Sequence, residues 1–374
     1  MAARAGGHSF VGASAATGAL VIDVRRLDQI VVDADRVTVG AGTITLAAQQ
    51  ELARSGLALP VGMCPTVGLA GLTLGGGIGV DVRRYGLTCD RLEAADLVLP
   101  NGNTVRADAI TTPDLLWALR GAGGTTGILT SLTYRACPAT AKDVVRLAFP
   151  GGQAARVLTA WAQWIPAADR TVFARVGLVA AEDLRCEVLI VCPAGGGARA
   201  VADLSAAIGT APSTEDHRTL EHLDAIDDIG SDKPSPRTTR IAGSDVLAQL
   251  SPTVIDIIVE LIDARSRSGA SGLVLFEPLN GALCDTDPHA TAFPWRTHAT
   301  ALEWIVNTPD SPKEAYEWIT SAHHALGAHS AGANLNHVEP GDTLQRCFAH
   351  NTARLQLIRQ TLDPHHQLRW GLNT

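Results

Sequence analysis

Lysine is almost missing from this chain: Lys142, Lys233 and Lys313 are the only ones among 30 basic side chains, a bias that reports on GC-rich coding before it reports on function. Positive charge is also in deficit. Thirty Lys and Arg against 38 Asp and Glu leave a net charge of −8, so nucleic acid and anionic membrane surfaces have no basic footprint to meet. Aromatic residues make up 4 %, with three tyrosines, Tyr85, Tyr134 and Tyr316. The longest charge-free stretch, Leu57 to Val80, holds seven Gly and two Pro, which breaks any membrane helix and predicts a buried glycine-rich loop system. The first eight residues lack an apolar core and a cleavage site, so the expectation is a cytoplasmic chain as written, with secretion open if the true start lies upstream. Seven cysteines with no Cys-x-x-Cys pair and no regular spacing exclude a zinc cluster and a disulfide framework. Each is by default a small buried hydrophobe. Seven of the 12 histidines fall between His323 and His366 without ligand spacing, and no metal site is expected.

What is present is bulk and turns. At 374 residues and 46 % hydrophobic, the chain can bury more than one core, and 36 Gly with 19 Pro predict a turn-rich mixed fold acting on a small molecule. Short β-branched runs at 20–24, 30–33 and 36–40 read as strands, followed by a helix over 45–55 with Gly56 as its stop. A strand over 92–100, a two-residue turn at Asn101-Gly102 and a return strand over 104–107 form a hairpin. A short helix over 114–120 leads into a second glycine loop, 121–127, and a strand over 128–134. Beyond Cys137-Pro138, strands at 172–178, 186–192, 272–276 and 302–306 alternate with helices at 153–164, 198–208, 251–266 and 313–326, the third capped by Ser251-Pro252. Residues 211–240, rich in Asp, Thr, Pro and Ser, read as a surface excursion, and 343–362 as one helix with Leu344, Leu355, Leu357 and Ile358 inward.

The common nucleotide and hydrolase templates fail. Neither glycine loop fits Gly-x-Gly-x-x-Gly, no lysine follows a glycine as a P-loop requires, and the Gly-x-Ser-x-Gly elbow and the His-Glu-x-x-His helix are absent. Dense backbone amides without a nucleophile suit an extended pyrophosphate held in a nest. Arg4-Ala-Gly-Gly-His8-Ser9 sets a fixed cation and a presented imidazole around a tight turn, and Cys64 stands at the mouth of the first glycine loop, where a thiolate can meet a bound ring.

In combination these segments are specific. Arg4-x-Gly-Gly-His8-Ser9, Gly62-x-Cys-Pro-Thr-Val-Gly-x-x-Gly-x-Thr-Leu-Gly-Gly-Gly-Ile-Gly79, Arg84-Tyr-Gly-Leu-x-x-Asp90 and Trp117-Ala-Leu-Arg-Gly-x-Gly-Gly124 occur in order, and Phe348-x-x-Asn351 with Asp363-Pro364 closes the chain. The sequence resembles the FAD-linked oxidases of the berberine-bridge-enzyme-like branch of the vanillyl-alcohol oxidase superfamily. The resemblance implies an α+β protein: a PCMH-type FAD-binding domain over 1–140, a substrate domain with an antiparallel sheet covered by helices over 141–337, and a return to the FAD domain over 338–374. Leu275 to Ala282 and Ala292-Phe-Pro-x-Arg296 resemble substrate-domain strands.

It further implies FAD tethered twice, through His8 to the 8α carbon and Cys64 to C6, a linkage that raises the flavin potential. Arg4, Gly6, Gly7 and Ser9 would cradle the pyrophosphate. Thr66, Val67, Gly68, Gly71, Gly75, Gly76, Gly77, Asp90, Gly121, Gly123, Gly124, Gly127, Ile128 and Asn351 complete the cofactor set. Val67 stands where a small β-branched side chain goes with oxygen access, which favours an oxidase using O2 over a dehydrogenase with another acceptor. The family precedes the arginine motif with a strand, a helix and a strand; here the motif begins at residue 4, so the expected FAD domain is N-terminally short, and a truncated non-catalytic remnant is the non-enzyme alternative. Where the family carries a Tyr-x-Asn-Tyr stretch, this chain has Asn334-Leu-Asn336-His337, making His337 the candidate base beside Asn336, against the reading of a surface histidine. The expected partners are a small-molecule substrate and O2; oligomeric state is left open.

Overall fold

The computed structural model describes residues 1–231, 239–307 and 311–372. The chain forms two compact units, Met1–Ala139 with Asp285–Arg296 and Asn334–Thr374, and Thr140–Cys284 with Thr297–Ala333.

In the first unit a five-stranded antiparallel sheet runs in the order Ile30–Asp33, Arg36–Gly40, Ile128–Arg135, Leu92–Val98, Thr104–Asp108. Its inward positions alternate, as in Val37 and Val39 or Leu132 and Tyr134, and join Leu52 of the helix Thr45–Ala53 and Leu115, Leu116 and Leu119 of the helix Pro113–Leu119 in one apolar core. Ala2–Arg4 pairs in parallel with Val21–Asp23 in a separate two-stranded sheet.

The second unit is built on an eight-stranded sheet, ordered Thr214–Leu220, Lys142–Pro150, Arg185–Pro193, Phe173–Ala180, Gly272–Pro278, Thr300–Asn307, Arg240–Leu247, Ser330–Gly332. The helices Ala154–Ala167, Gly197–Ile208, Pro252–Arg267 and Pro312–Leu326 contribute Trp161, Leu204, Ile258 and Ile319 to a core shared with every second residue of the strands, such as Val145, Leu147 and Phe149. An antiparallel sheet covered by helices is the expected architecture. Ser251 caps its helix as the sequence indicates, accepting from the Val254 amide at 3.4 Å.

Several local expectations are corrected. The first-unit hairpin ladder ends at Val98 opposite Thr104, and Leu99 N donates to Asn103 O while Gly102 N donates to Leu99 O. The loop is therefore the three residues Pro100-Asn101-Gly102, with proline placed for the turn and glycine at φ +87°. The 211–240 stretch is no mere excursion: Thr214–Leu220 is an edge strand exposed at nearly every position, and His222–Ser231 is a helix; residues 232–238 of that expectation lie outside the described residues. The segment 292–296 is not a strand and belongs to the first unit. The C-terminal helix divides into Leu344–Phe348 and Thr352–Leu362 at Ala349, whose φ is +45°. Leu357 is 65 % exposed, and the inward face instead carries Leu355 and Arg359, the latter over the Trp370 ring at 5.4 Å. Lys142–Pro150 and Arg240–Leu247 are strands the sequence reading passes over; the second conceals its character by burying Ser244 and Asp245.

Candidate flavin site

All sequence-predicted site residues lie in the first unit. The strand Ala2–Arg4 is continued by the Val24 amide donating to Arg4 O, and the chain then turns through Gly6 and Gly7 to present His8. Gly6 faces Gly68 so closely that a Cβ on either would collide with the other's backbone. That pair seats the 4–9 loop against the 64–68 loop. The second loop is held by the start of the helix Thr45–Ala53: Thr45 Oγ1 donates to the carbonyls of Cys64 (2.9 Å) and Pro65 (2.8 Å), Thr45 N to Val67 O and Leu46 N to Pro65 O.

The result is a convergence. Thr66 Oγ1 stands 3.1 Å from His8 Nε2 and 3.5 Å from Cys64 Sγ, so the two proposed tethers lie within about 6.6 Å of each other, the sum of those legs. All seven cysteines are free thiols; five are buried, Cys284 is exposed against expectation, and Cys64 is half-exposed. Burial pushes the Cys186 thiol up to about 12 and Cys192 to about 11. Those thiols stay protonated at neutral pH and are poor nucleophiles.

Most of the named glycines meet protein atoms. A Cβ at Gly75 would strike the Asn336 amide, at Gly77 the Thr88 side chain, at Gly123 the Trp370 ring (3.0 Å) and at Gly127 the Val98 carbonyl (2.7 Å). Gly71 faces open space, and Gly7 has only the Arg4 guanidinium nearby, at 3.7 Å. Ser9 Oγ accepts from the Ala13 amide at 3.0 Å, and Ile128 opens the strand that pairs with Val98.

Asp90 and Asn351, expected at the cofactor, also have protein partners. Asp90 accepts from Arg296 Nη2 (2.6 Å) and Nη1 (3.1 Å) and from Leu87 N (2.9 Å). Asn351 Nδ2 donates toward the carbonyls of Thr291 (3.2 Å) and Ala292 (3.3 Å). Asn336 Nδ2 donates to Leu72 O at 3.2 Å, and the half-buried His337 ring stands 5.4 Å from Phe10, two residues beyond His8. Tyr134 is bonded to Thr73 Oγ1 at 2.8 Å and its phenol is pushed far up by burial; burial also raises Tyr85. Neither is a phenolate base.

The sequence reading missed three groups. Thr43, Thr125 and Thr126 are buried with hydroxyls that have no protein partner. A bound ligand is one partner that would satisfy them. Two of them, Thr125 and Thr126, stand in the second glycine loop between Gly124 and Gly127. Orphaned hydroxyls, the Gly7 turn beside Arg4, and the His8, Thr66, Cys64 cluster together fit FAD.

The comparisons agree. A family model described as an FAD binding domain matches residues 1–108. The FAD-linked oxidoreductase YgaK of Bacillus subtilis is 29 % identical over 98 % of this chain and 84 % of its own. Among solved structures, the xylooligosaccharide oxidase from Myceliophthora thermophila, in complex with xylobiose, superposes with a TM-score of 0.90 at 23 % identity, covering 99 % of this chain and 85 % of that one. The Acremonium strictum glucooligosaccharide oxidase, described as revealing a novel flavinylation, gives 0.88 at 20 % over the same shares. Residues 1–108 carry an FAD binding domain, and over nearly its whole length the chain is similar to FAD-linked oxidoreductases and shares the fold of the oligosaccharide oxidases.

Proposed function

We propose that this enzyme is an oxidase of a small alcohol, sugar or hydroxylated or aminated secondary metabolite, with FAD attached through both His8 and Cys64. The observation that carries the reading is the single Thr66 hydroxyl shared by His8 Nε2 and Cys64 Sγ. Two ring positions of one flavin require an imidazole and a thiol about a ring's breadth apart, and His8 and Cys64 stand at that spacing. Bound FAD supplies the hydride acceptor for a C–H beside oxygen or nitrogen, and O2 then takes the electrons as hydrogen peroxide.

The chain's own residues do the rest. Arg4 brings a cation to the turn for the pyrophosphate, backbone amides of the glycine loops complete the nest, and Thr125 and Thr126 donate into it. His337, half-buried beside Phe10, is the residue assigned to accept the substrate proton as hydride leaves. Val67, packed at the edge of the core after Cys64, leaves the oxygen path open. The names of the oligosaccharide oxidases support sugars as the first substrates to try. The test is oxygen uptake with matched peroxide release on a panel of mono- and oligosaccharides, simple alcohols and cyclic amines. Turnover that needs a quinone or dye and consumes no O2 would replace the oxidase reading with a dehydrogenase.

A further inference from the structure

The segment Asp285–Arg296 leaves the sequence of the second unit and returns to the first, where it is keyed into both glycine loops. Phe293, 3 % exposed, is the key. A Cβ on Gly76 would lie 2.8 Å from Phe293 Cδ2, and one on Gly121 would lie 2.7 Å from Phe293 N and 2.8 Å from its Cβ. Gly76 and Gly121 have φ of +104° and +114°, so both loops turn their bare α-carbons onto the same residue. The segment is fastened on three sides. Trp117 Nε1 donates to His289 O (2.8 Å), Asn351 reaches the Thr291 and Ala292 carbonyls, and the wholly buried Arg296 joins Asp90 to Thr291 Oγ1 (2.7 Å). Phe293 N itself donates to Arg120 O at 3.3 Å, on the approach to the second loop.

We propose that Phe293 is a positioning residue for the flavin: it sets the spacing of the 75–77 and 121–124 turns, and the Asp90–Arg296 pair holds it in place. The glycines at 76 and 121 serve this contact instead of touching the cofactor. The inference rests on the FAD reading above, since the two loops matter only as the walls of that site. A wedge works through shape. Shortening it lets the loops settle closer together, and the amides they present lose their register on the ring.

The test compares the wild type with F293L, R296K and F276L, a control at an equally buried phenylalanine of the second unit's core. Flavin per chain is measured in acid-precipitated protein, and the flavin environment by circular dichroism in the visible region. Expected are an F293L protein with flavin content at least halved and an altered visible band, R296K changed in the same direction, and F276L with the wild-type band whatever its melting temperature. Full flavin and an unchanged band in both F293L and R296K would overturn the wedge alone. Failure of both to fold while F276L folds would reduce Phe293 to a structural residue. A wild type without flavin would overturn the FAD reading and the wedge with it.

Discussion

The imidazole of His8 and the thiol of Cys64 meet at one hydroxyl, Thr66, 3.1 Å from the first and 3.5 Å from the second. Their approach is made by the Gly6–Gly68 contact, which tolerates no side chain on either residue. Gly68→Ala is therefore expected to spread the two loops. Flavin attachment at one of the two sites should fall several-fold, as read by peptide mapping, because both loops cannot keep their seats.

Thr66→Val removes the shared hydroxyl from an exposed position. Its stability cost is expected to stay within about 0.5 kcal/mol, the usual range for surface substitutions. Thermal unfolding should barely move, while the rate at which apoprotein takes up flavin covalently should drop. A wild-type rate of attachment would show that Thr66 only fills space.

Asp143 gives the second unit an acid-sensitive point. Burial alone would raise its carboxyl, but hydrogen bonds from Thr219 Oγ1 (2.7 Å) and from the amides of Gly197 (2.8 Å) and Gly195 (2.9 Å), with His217 alongside, hold it below the ordinary value. A depressed carboxyl stabilises the fold above the unfolded-state value near about 4 and loses that contribution as pH falls through the lower folded value. Asp143→Asn is expected to lower the wild-type stability at pH 7 and to flatten its decline below about pH 4. Urea titrations across that range measure both.

Asp245 is a wholly buried carboxylate that accepts from Trp304 Nε1 (2.8 Å), His323 Nδ1 (2.7 Å) and Ser330 Oγ (2.5 Å). Replacement by leucine strands the Trp304 and His323 donors, each costing about 1–3 kcal/mol, while the Ser330 hydroxyl can turn to Gly332 O. The predicted outcome is a loss of at least about 2 kcal/mol in urea unfolding, with any FAD that is retained keeping its visible spectrum.

Val67→Leu is expected to slow reoxidation of the reduced enzyme in air by tenfold or more, with substrate reduction of the enzyme little changed. Stopped-flow measurement of the two half-reactions separates them. Equal reoxidation rates would remove Val67 from the oxygen path.

Local chemistry was legible and distant pairing was not. Arg4 to Ser9 and Cys64 to Gly68 announced themselves because a tight turn and its presented side chain are encoded within a few adjacent residues. Asp90 was visible in its motif, yet its partner Arg296 stands 206 residues away, and nothing in a single sequence joins them. Gly76 and Gly121 read as cofactor glycines for the same reason: a bare α-carbon shows that something comes close, and only the structure shows that Phe293 does. The strand Thr214–Leu220 lacked alternation because an edge strand with both faces wet has no apolar side to alternate. Leu357 misled in the opposite sense, since the break at Ala349 resets the helix phase and sends Arg359 inward.

The central claim is that His8 and Cys64 hold one flavin between them, and intact-protein mass under denaturing conditions tests it most directly. The wild type, His8→Ala and Cys64→Ala should each carry the mass of one FAD through denaturation, and only the double variant should run at the bare mass. A wild type at the bare mass would contradict covalent attachment altogether, and complete loss of FAD in either single variant would show one tether where two are claimed.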